Sequence, residues 1–316
     1  MARVSRIIRI SPPLLSPKDT DRISIQVIGA QKGVPAAITW VLEGGHGTWR
    51  QNRGVRSEFT LFTSDSVRIE GTHVTYAKAK NDPDPMALGI VMAHGFTGNR
   101  KLDDVQKVVN ALREFGGVLA LDLRGHGDSG GEGTMGMDEI HDIDSAVIHA
   151  RDFGYRKVAT IGFSMGGSIV LRQGSLATGP AKPDAVVSVS APGFWFYRGT
   201  RVMRVVHRLI ESSSGRLALR GKGVRVTSTP WPEPPPMSPE QAVENMGHMP
   251  LLIVHGDIDR YFPLEHAHAL EAAAGKAGNP NVEVLMVEGF GHAESAIELG
   301  TLNRIGHWLR KQASPE

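Results

Sequence analysis

Three residue types that together perform acyl transfer stand at separated points of this chain, each just after an apolar run. The first is Ser164, in Gly162-Phe163-Ser164-Met165-Gly166. Val158-Ala159-Thr160-Ile161 precede it and Gly167-Ser168-Ile169-Val170-Leu171 follow, so the stretch reads as strand, sharp turn and helix, a nucleophile elbow. A turn that tight pushes its apex toward positive φ and brings neighbouring backbones close, which small flanking residues permit. The hydroxyl is then exposed at a strand's carboxyl end, with the N–H of Met165 at the helix start aimed at any developing negative charge. The second is an acid on His255-Gly256-Asp257-Ile258-Asp259, after the apolar run Leu251-Leu252-Ile253-Val254. Asp257 and Asp259 are both able to orient a histidine, or to cap a helix beginning at Pro263. The third is His292, in Glu288-Gly289-Phe290-Gly291-His292, where the adjacent glycines leave the ring free to swing toward a site.

Positioning them requires a particular scaffold. Apolar runs at 87–93, 118–121, 158–163, 185–189, 250–254 and 282–287 alternate with amphipathic stretches, such as Val105, Val108, Val109, Leu112 and Phe115, or Ile140, Ile143, Val147 and Ala150. Strands alternating with helices imply right-handed crossovers and a mostly parallel, doubly wound sheet. In such a sheet the loops after the strands share one edge, so Ser, Asp and His in that order converge there. Ahead of this series, 59–62, 67–70 and 73–76 alternate as two or three antiparallel strands, with turns expected at Ser64-Asp65 and Gly71. Residue runs 87–93 and 94–98 join a buried strand to His94-Gly95-Phe96-Thr97-Gly98, where the N–H of Phe96 is the candidate second oxyanion donor beside Met165 and the His94 side chain braces the loop.

Composition bounds the rest. The 316 residues are 41% hydrophobic and 22% charged, with a net charge of +2, which suits a globular protein and argues against a nucleic-acid partner. There are no cysteines, which excludes disulfides, thiolate metal sites and a cysteine nucleophile. No apolar run has the length of a membrane span, and Arg3, Arg6 and Arg9 interrupt any signal-peptide core, so the expected location is cytoplasmic with no membrane insertion. Gly125, Gly127 and Gly130 fit G-x-G-x-x-G, yet no helix opens at Gly130, and a dinucleotide site is set aside. No His-Glu-x-x-His spacing occurs, His266 and His268 fall on different helix faces, and the chemistry needs no metal or cofactor.

Four segments are expected. Residues 1–57 lack a sustained period and read as an extension, a hairpin or disorder, and 58–193 and 248–316 are the two parts of one core. Between them, 194–247 break the period with Phe194-Trp195-Phe196-Tyr197, a helix bearing Arg201, Arg204 and Arg208 on a polar side that faces water or meets an anionic substrate or lipid surface, and Trp231-Pro232-Glu233-Pro234-Pro235-Pro236. An aromatic insertion between two strands reads as a lid over an apolar pocket.

From 59 to the end, the chain resembles the α/β-hydrolase superfamily. The likeness lies in the His94-Gly95 loop, Arg124-Gly125-His126-Gly127, the elbow at Ser164, Gly256-x-x-Asp259 with its later Pro263, and Gly291-His292. It is most similar to bacterial serine esterases of the lysophospholipase, monoacylglycerol-lipase and prolyl-oligopeptidase-like branches. The resemblance favours Asp259 over Asp257 as the acid, and implies a Ser164–His292–Asp259 triad cleaving a small-molecule carboxylic ester through an acyl-enzyme. A thioesterase, peptidase or cofactor-free perhydrolase would share every motif. A hydrolase-shaped binding protein would be expected to lack a triad member, and none is missing. The sequence leaves the oligomeric state open.

Overall fold

The computed structural model describes residues 56–314 and, ahead of them, the backbone of four short strands. These are β1 (Ile23–Ile28), β2 (Ala37–Leu42), β3 (Gly45–His46) and β4 (Thr48–Trp49). β1 and β2 pair antiparallel from Ile23↔Leu42 to Ile28↔Ala37, and β3 continues that small sheet. Apart from these strands and the start of β5 at Arg56, the 1–57 extension lies outside the described residues.

The main sheet takes in β5 (Arg56–Phe62), β6 (Arg68–Val74), β7 (Leu88–Ala93), β8 (Gly117–Leu121), β9 (Lys157–Phe163), β10 (Ala185–Val189), β11 (Leu251–Gly256) and β12 (Val282–Val287). Its order is β12-β11-β10-β9-β7-β8-β6-β5-β4. The six strands from β7 onward are mutually parallel, and β4, β5 and β6 close one edge in antiparallel pairing. β6 runs unbroken through Gly71, where the sequence suggested a turn. The glycine serves packing instead, because any Cβ there would overlap the Phe59 ring lying across it from β5.

Helices cover both faces. Those of the core are α1 (Asp103–Leu112), α2 (Ile140–Phe153), α3 (Met165–Leu176), α6 (Pro239–Glu244), α7 (Glu265–Ala277), α8 (Ala293–Ala296) and α9 (Leu299–Gln312). α4 (Arg201–Glu211) and α5 (Ser213–Arg220) lie in the insertion. Strand periodicity divides the core in two: Val91 and Ala93 of β7 join α2, α3 and α7 in one cluster, while Leu88, Ile90 and Met92 join α1 and α9 in the other. Each fully buried aliphatic side chain of this kind contributes roughly 1.5–3 kcal/mol. α3 is buried from Met165 through Gly174, so the helix that follows the elbow is itself core and its start is held rigidly. Among the described residues no helix is long and apolar enough to cross a membrane.

Five buried histidines and the half-buried His149 make stability depend on pH. Burial lowers the pKa of His73 to about 4, His94 to about 3, His149 and His266 to about 4, and also lowers that of His126 and His255. Unfolded, they titrate near 6.5. Their stabilising contribution is therefore complete above that value and is lost as pH falls toward the folded values, because the unfolded chain binds protons first. Asp142, which burial pushes up to about 7 against the pull of Arg124, works in the opposite sense, as do the carboxyls of Asp138, Asp144, Asp152 and Glu294, which burial also pushes up. The urea midpoint is expected to fall between pH 7.5 and pH 5, and an unchanged or higher midpoint at pH 5 would contradict this account.

Candidate active site

β7 has β8 on one side and β9 on the other, so the strand order reverses here and a crevice opens at the carboxyl ends. Register aligns those ends: Ala93 pairs with Gly162, Phe163 with Val189, Val189 with Val254, and Gly256 with Val287. The loops bearing Phe96, Ser164, Asp259 and His292 therefore leave the sheet along a common rim.

Ser164 has φ 52° and ψ −116°, a conformation that side-chain-bearing residues seldom adopt. Its N–H donates to Val189 O at 2.8 Å, and its carbonyl accepts from Ser168 N at 3.2 Å as the first helical bond. The glycines of the motif are required by close approach: a Cβ on Gly162 would overlap the Gly166 carbonyl, and one on Gly166 would overlap the carbonyl of Ala93. The second overlap also shows how closely the start of α3 is pressed against the end of β7.

The His292 ring lies between the other two side chains. Its Nε2 is 2.9 Å from Ser164 Oγ and its Nδ1 is 2.7 Å from Asp259 Oδ2. A carboxylate only accepts, so Nδ1 carries the proton and Nε2 presents a lone pair to the serine hydroxyl. The Asp259 side chain is fully buried, and its Oδ1 accepts the N–H groups of Tyr261 (2.8 Å) and Phe262 (3.0 Å). Those contacts offset the cost of burying the charge. Asp257 lies apart from His292, its Oδ1 accepting from Gly289 N at 2.7 Å. Neither carboxylate caps α7, whose N-cap is Leu264.

Phe96 and Met165 line the same cavity as Ser164 and His292. Among the described residues no acceptor engages the N–H of either. His94 is buried and neutral, its Nδ1 donating to Gly95 O at 2.8 Å while its Nε2 accepts from Leu123 N at 3.1 Å. Gly98 N also donates to Gly95 O, at 2.9 Å. The Gly95 carbonyl and the Phe96 N–H belong to one planar trans peptide, so anchoring the oxygen on one side turns the N–H out on the other. The bracing histidine thus sets the direction of that donor.

Several neighbours left no mark in the sequence. Tyr261 stacks on the His292 ring at 4.1 Å between centroids and 16° between planes. Buried His255 donates from Nε2 to Phe262 O at 2.7 Å and holds the turn that feeds Asp259 its N–H groups. Ser190, at φ 52°, accepts the N–H of Ala293 at 3.2 Å. Nothing in the sequence marked which side chains would press on the ring.

The cavity has a volume of about 710 Å³, and its wall is largely apolar, with Met135, Trp195, Met203, Val206, Ile210 and Trp231. Met203, Val206 and Ile210 share one face of α4, while Arg201, Arg204 and Arg208 stay exposed on the other. The insertion is tied to the Gly125 loop: Arg225 N donates to Gly125 O (2.7 Å), Gly133 N to Arg225 O (2.8 Å) and Trp231 Nε1 to Thr134 O (2.7 Å). Gly125, at φ 74°, has no room for a Cβ against Arg225 O, so its place in the G-x-G-x-x-G pattern reflects this anchorage. Among the described residues no three His, Asp or Glu side chains are grouped to hold a metal.

Sheet order, flanking helices and rim loops are those of the α/β-hydrolase fold. A family model described as serine aminopeptidase, S33, matches residues 84–233, a span that includes Phe96 and Ser164 and ends before Asp259 and His292. A Pyrococcus furiosus esterase, Pf2001, superposes with a TM-score of 0.63 at 22% identity, covering 81% of this chain and 92% of its own. The esterase domain of a Rhodothermus marinus protein gives 0.57 at 20% identity over 82% and 100%. Est1E of Butyrivibrio proteoclasticus, with ferulic acid bound, gives 0.53 at 20% over 78% and 94%. A search of the curated proteins found no match. The chain therefore has the α/β-hydrolase fold, and the serine aminopeptidase model matches just under half of it.

Proposed function

We propose that the protein is a serine hydrolase of carboxylic esters. The observation that carries this reading is the line of hydrogen bonds from Ser164 Oγ through His292 to Asp259, opening into an apolar cavity. His292 Nε2 takes the hydroxyl proton as Oγ attacks the ester carbonyl carbon, and Asp259 stabilises the imidazolium that forms. The N–H groups of Phe96 and Met165 donate to the oxyanion. The tetrahedral intermediate collapses as His292 protonates the leaving alcohol, leaving an acyl group on Ser164. Water then gives its proton to Nε2 and attacks the acyl carbon, and the acid leaves as Ser164 recovers its proton.

The S33 description favours a second reading, removal of an N-terminal residue from a peptide. That reaction needs a carboxylate to hold the substrate's ammonium group. Of the acids lining the cavity, Glu211 is paired with Arg198 and His207, Glu294 is engaged by a backbone N–H, and Asp104 is exposed on α1. The apolar wall suits an acyl chain better. Against a panel of p-nitrophenyl acyl esters, acyl thioesters and aminoacyl anilides, kcat/KM is expected to be highest on esters with roughly four to ten acyl carbons. Preferential turnover of the anilides would move the assignment to a peptidase.

A further inference from the structure

One buried acid has no part in the steps above. Glu294 is 9% exposed, sits two residues beyond His292 in α8, and lines the cavity. Its Oε1 accepts the N–H of Gly95 at 2.7 Å across 199 residues of sequence. Among the described residues no cation pairs with it, and burial pushes its pKa up. A Cβ built on Gly95 would lie 3.3 Å from both Glu294 Oε2 and Ser164 Cβ, so carboxyl and nucleophile flank the same backbone atom.

The contact joins two loops that the chemistry needs in fixed relation. Gly95 already has its carbonyl held by His94 and Gly98, which leaves its N–H as the free end. On the other loop, Ala293 is left-handed at φ 54°, a strained conformation for an L residue that persists only where the surroundings enforce it. Ser190 holds Ala293 by its N–H, and Glu294 ties the next residue to Gly95. We propose that Glu294 is a positioning residue: by clamping Gly95 N–H to the loop that carries His292, it fixes the spacing between the general base and the Phe96 oxyanion donor. It acts through Gly95, and what it needs for this is an acceptor oxygen rather than a charge.

This rests on the serine-hydrolase reading, and the experiment separates the two. Glu294→Met fills similar volume without an acceptor, whereas Glu294→Gln keeps a carbonyl oxygen at the same reach. Each variant is first checked by its urea midpoint. Glu294→Met is expected to lower kcat on a p-nitrophenyl ester by on the order of 10- to 100-fold, with KM within about 3-fold. Binding of an alkyl boronic acid, which mimics the tetrahedral adduct, should weaken by a similar factor while fatty-acid binding does not. Glu294→Gln should restore kcat to within about 3-fold. Should the Met variant not fold, Glu294→Asp, which withdraws the acceptor by one methylene, should show the same kcat loss. Unchanged kcat in the variant lacking the acceptor, a Gln variant as impaired as Met, or a change in KM alone would overturn the proposal. If wild type itself reacts with no fluorophosphonate, the proposed function fails; a labelled wild type with an indifferent Glu294→Met defeats only the present inference.

Discussion

Replacing Ser164 by Ala is expected to abolish covalent labelling by a fluorophosphonate probe and to lower ester hydrolysis by at least about 10⁴-fold. The probe reacts with a serine only where a base removes its proton and N–H donors receive the phosphoryl oxygen. In the proposed site the hydroxyl at the start of α3 is 2.9 Å from His292 Nε2, and Phe96 and Met165, whose N–H groups are the proposed donors, line the same cavity. Alanine removes the attacking oxygen and leaves Val189, Gly162 and Gly166 packed as before, so the urea midpoint should change little. Mass spectrometry of wild type and variant after probe treatment reads the result directly. A wild type that folds and binds no probe, or a variant labelled as strongly, would sink the assignment.

Exchanging Asp259 for Asn should cost kcat about 10⁴-fold, whereas Asp257→Asn should stay within about 3-fold of wild type. The difference follows from the hydrogen bonds. Tyr261 and Phe262 both donate to Asp259 Oδ1, so an asparagine must keep its carbonyl oxygen there and turn its NH₂ toward His292 Nδ1. Nδ1 must then be unprotonated, which places the proton on Nε2 and leaves nothing to accept from Ser164. At Asp257 the single acceptor role toward Gly289 N is met equally well by an amide oxygen. Parallel kcat measurements on the two variants decide it, and equal losses would mean that loop packing rather than tautomer control governs the effect.

Much of the scaffold was legible because its signals are local. Continuous apolar runs such as 87–93 suit strands buried on both faces, and the glycines around Ser164 mark a turn that admits no larger residue. Chain order plus a parallel sheet then brings the three loops to one edge. Gly71 misled because a glycine between alternating residues resembles a turn, and the ring that excludes its Cβ comes from another strand. The choice between Asp257 and Asp259 was likewise open to the bare residues, since two acids on one loop differ only in what their oxygens meet.

The sequence by itself determined the strand–helix alternation, the elbow and the order of the three chemistry-bearing loops, because periodicity and turn sterics act between near neighbours. Tertiary structure alone decided that Asp259 meets His292, that His94 aims the Phe96 N–H through the Gly95 carbonyl, and that the Gly125 loop anchors the insertion. It also decided that Glu294 reaches Gly95 from 199 residues away. Hydrogen bonds act over about 3 Å in space whatever the separation along the chain, so partners this remote become neighbours only when the sheet brings its strand ends together.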